Sequence, residues 1–383
     1  MQTRNTRDLT TICTAFFFAF LGAGACQPFV VSCLTEQKGL LLGRASLVLA
    51  TVYFTFGVFR FFIGFIVDRV GLHLSKILGV AAYALFPLVI WQGGSLPVFL
   101  LGSVVWGIGA PMMWTGAMVQ ILNTAPPTRY GTQTGILRGT VTLAASLGAY
   151  LLAFVYDLRG YDALFAVAAE LGVIGILAMM ISPNRRFQPA KPDLQTFFRL
   201  IRSRQAQAVM MFLVCSGLAY GVLLNGFKSH IETRCGSDWL RTILPVFFVA
   251  GILANFLGGW ICDRIGRWPT FAGGFALGTV GMMLAWRFSH PVVLMLAMLL
   301  IGVEFAIVPL SAFAWIGDRT PPAERASVMG YVFCFRDVGI ALAIQLRSLI
   351  SDVATASLVF AVISAFCALV GAVVAVGLAR RND

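Results

Sequence analysis

Along this chain, long apolar stretches alternate with short breaks of charge, glycine and proline. A helix rises 1.5 Å per residue, so roughly 20 apolar residues cover the ~30 Å of hydrocarbon in a bilayer. Twelve transmembrane helices are predicted, at 9–33, 44–67, 74–93, 97–122, 131–156, 162–182, 206–227, 239–262, 270–288, 291–315, 326–350 and 354–378. A single long polar break, Pro183 to Gln205, carries Arg185, Arg186, Lys191, Arg199, Arg202 and Arg204. It divides the spans into two sets of six. The expected organisation is a six-helix bundle over 1–182, a basic cytoplasmic linker over 183–205 and a second six-helix bundle over 206–383.

Composition supports an all-α membrane protein. The chain is 59% hydrophobic and 11% charged, against about 25% charged in soluble domains, too little to coat a soluble protein of this length. The net charge of +12 raises nucleic acid as a partner, but the basic residues sit in short loops between apolar runs. The positive-inside rule accounts for them, and no nucleic-acid partner is expected. With the N-terminus inside, 17 basic residues fall on the cytoplasmic side and 8 on the other, which places both termini in the cytoplasm, with a bacterial inner membrane as the expected setting. The eight cysteines form no CxxC or His-rich pattern, so neither a disulfide framework, a metal site nor a cofactor is expected. Arg4 and Arg7 before an apolar run resemble a signal peptide, yet the run is long and LGAGAC (21–26) is a poor cleavage site. The first helix is expected to be retained.

One charged motif occurs twice. GFIVDRVG begins at Gly64 and GWICDRIG at Gly259, 195 residues on, sharing the pattern Gly-x-x-x-Asp-Arg-x-Gly. The same offset carries Pro126 and Pro127 onto Pro321 and Pro322, Gly135 onto Gly330 and Gly107 onto Gly302. One offset that aligns loops, glycines and charged turns marks a duplicated six-helix unit. Six spans return the chain to its starting side, so the two copies are parallel, as in one known class of transporter.

Twelve spans, a basic central linker and GxxxDRxG after spans 2 and 8 resemble the major facilitator superfamily of secondary transporters over essentially the whole chain. The family pattern continues with a basic pair. GWICDRIGRWP keeps Arg267, whereas GFIVDRVGLHLSK has its next positive charges at His73 and Lys76. Gly64, Asp68, Arg69 and Gly71 in the first copy, and Gly259, Asp263, Arg264 and Gly266 in the second, are the candidate cytoplasmic gate. Gly64 and Asp68 are four apart, on one helix face that Gly57 extends. A carboxylate at the end of such a helix can face the positive N-terminus of a neighbour. The resemblance implies that the neighbour is span 11 for the first copy and span 5 for the second. On this reading both turns are latches that hold the cytoplasmic side shut, and Asp68→Asn shifts the protein toward inward-open. The bland alternative is a topology signal alone.

Ionisable residues inside spans need a partner or a water-filled cavity. Arg60, Arg138, Glu170, Glu304, Arg336 and Asp337 fall there. Arg60 and Asp337 lie at compatible depths and form a candidate pair, structural or coupling. Their repeat counterparts, Asn255 and Thr142, are uncharged. The resemblance implies that spans 1, 4, 7 and 10 line a central cavity, which makes Glu304 on span 10 the candidate for proton coupling or substrate contact. The alternative is an ion pair with Arg336. Arg138 suits an anion, since a guanidinium matches carboxylates and phosphates; backbone or Glu304 pairing is its alternative. Glu170, on span 6, is assigned a structural role. Uncharged cavity candidates are Gln27, Trp106, Met112, Met113, Trp114, Gln120, Tyr220 and Asn225, each with ordinary packing as its alternative. GILRGTVTLAASLGAY in span 5 lacks the Gly-x-x-x-Gly-Pro that the resemblance associates with drug antiporters.

No phosphate loop, His/Cys metal set or extramembrane domain large enough for catalysis is visible, so the chain is not expected to be an enzyme. The expected function is secondary active transport of a small organic anion by alternating access, as a monomer, with H+ as coupling ion or by exchange. The alternative is a proton-driven exporter of drugs or other amphipathic compounds. A scaffold or sensor with the same fold is a third class.

Overall fold

The protein is described by a computed structural model over residues 2–185, 194–346 and 353–379. Arg186, Lys191, Arg347, Arg380 and Arg381 lie outside the described residues, as does the side chain of Asn225.

The described residues are helical almost throughout, with no strand among them. Span 1 comprises α1 (Gln2–Ala19) and α2 (Ala25–Ser32), continued through π-helical turns at Phe20–Gly24 and Cys33–Gln37. Span 2 is α3 (Leu42–Phe61) and α4 (Ile63–Val70), broken at Phe62. Spans 3 and 4 are α5 (Leu72–Gln92) and α6 (Leu96–Thr124). Spans 5 and 6 run together as α7 (Tyr130–Ile181), turned at Gly160, whose φ of 75° favours glycine. Spans 7 to 12 are α9 (Arg204–Cys235), α10 (Leu240–Ile265), α11 (Arg267–Arg287), α12 (Pro291–Arg319), α13 (Arg325–Leu346) and α14 (Val353–Ala379).

Within the segment read as a basic linker, 183–205, Leu194–Arg202 forms a further helix, α8. Its nine residues are too few to span a membrane, so a search for apolar runs of spanning length passes over them.

The chain divides into two compact units. Unit 1 is Met1–Ala125, Thr140–Asp193 and Thr320–Tyr331; unit 2 is Pro126–Gly139, Leu194–Arg319 and Val332–Asp383. The start of α7 is therefore assigned with the second-half helices, and the start of α13 with the first-half ones, a subdivision that the 1–182 and 206–383 boundaries do not contain.

Each unit has a core of its own. In unit 1, Trp106 packs 4.4 Å from Phe86 and 5.3 Å from Tyr83. In unit 2, Phe247, Met282, Met298, Ile301 and Phe360 belong to one buried cluster. The outer surfaces are apolar: Leu101, Leu253 and Leu369 are more than half exposed, as a surface solvated by lipid tails requires.

Candidate functional site

The two GxxxDRxG turns share one backbone. Gly71 and Gly266 both have positive φ (85° and 93°) with extended ψ, and each starts the next helix. That conformation excludes a Cβ at low energy and explains the closing glycine of both motifs. The opening glycines serve close approach. Gly64 packs against Ser327 at the start of α13, and a Cβ at Gly259 would stand 2.5 Å from the Gly131 carbonyl at the start of α7. One turn further into the membrane the pattern repeats: Gly330 meets the Arg60 carbonyl and Gly135 the Asn255 carbonyl, at positions related by the same offset.

In unit 2 the turn is fully engaged. Asp263 accepts the Gly131 N–H (2.8 Å), the Thr132 N–H (2.7 Å) and the Thr132 hydroxyl (2.7 Å). The first N–H groups of a helix have no partner inside it, so Asp263 acts as an external cap on α7, with the helix dipole adding to the attraction. Arg267 completes the arrangement. It donates to Asp263 Oδ1 (2.7 Å), to the Cys262 carbonyl (3.0 Å) and through two nitrogens to Asp318 (2.8 and 3.2 Å). Asp263 is 6% exposed and Asp318 31%. Arg264 takes no part and lies 4.3 Å over the Trp260 ring.

The first copy departs from the expectation. Asp68 is exposed and accepts no hydrogen bond among the described residues, although α13 begins beside it. The offset of 195 shows why. Leu72 stands where the second copy has Arg267, Asn123 where it has Asp318, and Ala326 where it has Gly131. Arg325, at the head of α13, instead donates to the Leu122 carbonyl and to Asn123 Oδ1, both at 2.6 Å. Asp68 is left bordering a cavity of about 70 Å³ with Val119, Pro322 and Ala326, a space for a few waters. Nor do Gly64 and Asp68 keep one environment: Gly64 is buried, while Asp68 and Arg69 are exposed at the helix end. Asp68→Asn is therefore expected to change thermal stability by no more than about 0.5 kcal/mol, as exposed substitutions do. A melting series in detergent checks this.

Deeper in unit 2, cations and aromatics converge. The Arg336 guanidinium lies 5.4 Å over Tyr220 and 5.3 Å over Phe305, and the two rings stack at 4.4 Å. Arg138 donates to Asn255 Oδ1 (3.2 Å). The offset makes Asn255 the counterpart of Arg60 and Arg138 the counterpart of Phe333. The arginine thus stands on span 5 of one helix pair and on span 2 of the other.

Glu304 is 2% exposed and borders a cavity with Ser216, Tyr220, Phe247 and Phe305. The space holds about one water, far too little for an organic cargo. Its Oε1 accepts the Ser364 hydroxyl (3.3 Å), so the ion pair with Arg336 considered from sequence does not form. Its Oε2 is buried with no hydrogen-bond partner among the described residues, against Gly278. An ionised carboxylate held by one hydrogen bond carries a desolvation penalty of several kcal/mol. A methyl group at 278 would overlap Oε2. Gly278→Ala is expected to cost about 1–3 kcal/mol of stability, and combining it with Glu304→Ala to recover part of that loss. Thermal unfolding of the two singles and the double measures both.

Other candidates lie in ordinary structure. Gln27 accepts the Tyr53 hydroxyl (2.7 Å). Trp106, Met112 and Met113 are core residues of unit 1, and Trp114 packs edge-on to Phe16 and Phe20. Gln120 has partners within unit 1: its carbonyl accepts from Lys76 and its amide donates to the Pro183 carbonyl (3.3 Å). Lys76 is fully buried, also donates to Ser182 (3.1 Å), and is no loop charge; it falls inside the span predicted at 74–93. Fully buried Asp8 pairs with Arg185 at 3.0 Å. Sequence reading missed this network, in which only the position of Lys76 inside a span gives a signal. Arg60 is buried in unit 1 with its guanidinium 4.2 Å from the Phe56 ring, and Asp337 is buried in unit 2.

A family model described as Major Facilitator Superfamily matches residues 12–344, and again 239–383. The chain belongs to this superfamily. It is 23% identical over 243 residues to the purine ribonucleoside efflux pump NepI of Escherichia coli K12, covering 62% of this chain and 61% of that one. NepI of Escherichia coli O6:H1 gives the same figures, so the chain spans about three fifths of the length of the curated relatives it matches. Among solved structures, the E. coli fucose:proton symporter FucP is similar with a TM-score of 0.76 at 13% identity, over 95% of this chain and 97% of that one. The proton:xylose symporter XylE gives 0.74 at 15%, over 94% of each. At such identities these structures establish the fold alone. Its long apolar helices and this membership make the protein a multi-pass membrane protein of a superfamily of transporters.

Proposed function

We propose that the protein moves a small organic anion across a bacterial inner membrane by alternating access, with both termini cytoplasmic and with a proton as coupling ion. The observation that carries the reading is the Arg336 guanidinium over the stacked Tyr220 and Phe305 rings, with the Glu304 cavity sharing both rings; Arg138, which donates to Asn255 in the same unit, is the second cation assigned to the anion. A guanidinium held over aromatic faces, as that of Arg336 is, keeps its planar donors oriented for a carboxylate or phosphate. The water-sized cavity at Glu304 suits a proton and excludes the cargo. The two tasks then fall to neighbouring groups around one aromatic pair: anion binding to the arginines, proton exchange to the carboxyl. The Asp263 turn is the gate of this reading, holding the cytoplasmic ends of spans 5 and 8 together in one state of the cycle.

The test is transport in proteoliposomes under an imposed pH gradient, screened with labelled organic anions. Arg138→Gln is expected to lower uptake of the active anion at least tenfold while the protein still folds. Anions that neither move nor compete, with lipophilic cations moving instead, sink the anion reading. A second reading has its own support: the relatives named as purine ribonucleoside efflux pumps, together with the stacked Tyr220–Phe305 pair, favour a flat uncharged nucleoside. Competition by purine nucleosides with retained activity in Arg138→Gln selects that alternative.

A further inference from the structure

Helix α8, LQTFFRLIR, presents three different sides. Thr196 is buried and Phe197 and Leu200 half-buried, which marks the side packed on the protein, where α8 lies against α9. Leu194, Phe198 and Ile201 recur at i, i+4 and i+7 on an adjoining side and are 47%, 58% and 38% exposed. Arg199 and Arg202 are exposed on the next side round. An apolar stripe flanked by arginines is the pattern of a helix lying in a membrane interface. Position agrees with pattern. Ser203 alone separates α8 from α9, capping it by accepting the Ala206 N–H at 3.5 Å, and the Gln207 amide ties back to the Ile201 carbonyl at 2.6 Å. The first residues of α9, Arg204, Gln205 and Gln207, are polar before its apolar run begins. That places α8 at the level where a spanning helix leaves the hydrocarbon.

We propose that α8 is an interfacial lipid-binding helix: the Leu194–Phe198–Ile201 stripe enters the acyl boundary, and Arg199 and Arg202 bind the phosphates of anionic phospholipids. Charge complementarity and continuity with a transmembrane helix favour a lipid leaflet over a soluble protein as the occupant. Each arginine at an anionic surface contributes roughly fivefold to such partitioning.

Phe198→Trp in the full-length protein supplies a probe, read as the difference from wild type after reconstitution in phosphatidylcholine alone or mixed with phosphatidylglycerol. Expected are a blue-shifted emission and quenching by lipids brominated near the headgroup, both greater with phosphatidylglycerol. Arg199→Gln with Arg202→Gln, at exposed positions, removes the phosphatidylglycerol dependence. Water-like, unquenched emission in both membranes overturns the proposal. So does quenching that is equal in both lipids and indifferent to the arginines, or emission that becomes shielded only when soluble protein is added. None of these readings depends on knowing the transported solute.

Discussion

Asp263→Asn is expected to release the start of α7 from the end of α10. The aspartate accepts three hydrogen bonds from Gly131 and Thr132 and a fourth from Arg267, all at 2.7–2.8 Å and nearly out of water. An amide at that position loses the charge, keeps one acceptor oxygen and turns an NH2 group toward donors. Hydrogen bonds to charged groups contribute about 1.5–3 kcal/mol each, and the substitution removes at least one of them outright. A net loss of about 2–3 kcal/mol moves a two-state equilibrium by about two orders of magnitude. Single cysteines placed at the two ends of the transport path, in a background without native cysteines, report the shift as labelling that rises at the gate end and falls at the other. Unchanged labelling at both ends would show that the turn is a structural cap with no part in gating. Asp68→Asn in the same assay is the contrast and is expected to change little, because nothing is bonded to Asp68 in the described state.

Glu304→Gln has the second large effect. Glutamine is nearly isosteric and keeps an oxygen for the Ser364 hydroxyl, so the helices around it need not move. What it lacks is a proton to exchange. Accumulation driven by an imposed pH gradient is expected to be lost, while one-for-one exchange of labelled for unlabelled solute continues at a rate within about threefold of wild type, a difference below 1 kcal/mol in barrier. Gradient-driven accumulation that persists in the variant rules the carboxyl out as the proton site. Loss of both activities points instead to a role in holding α12 against α11 and α14.

The sequence made the twelve spans, the duplication and the glycine-lined turns legible, because each rests on a property carried by the chain itself: run length, offset and φ preference. Gly71 and Gly266 illustrate this, since a positive φ after a helix restricts the residue type whatever packs nearby. The difference between the two turns was also written in the sequence, at the same offset. Leu72 against Arg267 and Asn123 against Asp318 tell which carboxylate has supporting partners, but only once the aligned loops are compared beyond the motif. Glu304 was identifiable as a membrane carboxylate, whereas its partner was not. Ser364 and Gly278 are ordinary small residues on other helices, and only packing brings them to it. The partners of Gln120 and Lys76 were hidden for a related reason: nothing in the sequence joins an amide on one span to a lysine near the end of another until α5, α6 and the end of α7 meet. Nine residues of α8 escaped a search tuned to membrane thickness.

The turn at Asp263 has an inner and an outer layer, and water reaches chiefly the second. Asp263 itself is 6% exposed, while Asp318, the other carboxylate held by Arg267, is 31% exposed. Dissolved ions screen exposed charges over about 8–10 Å at physiological ionic strength and reach buried pairs much less. Raising the salt concentration on that face therefore loosens the grip of Asp318 on Arg267 and leaves the peptide N–H groups on Asp263 untouched. A freed Arg267 then turns its full charge toward Asp263. If this face is cytoplasmic, as proposed, osmotic stress that concentrates ions there tightens the inner contact as it weakens the outer one, and the junction of α7 with α10 becomes comparatively insensitive to the ionic state of the cell.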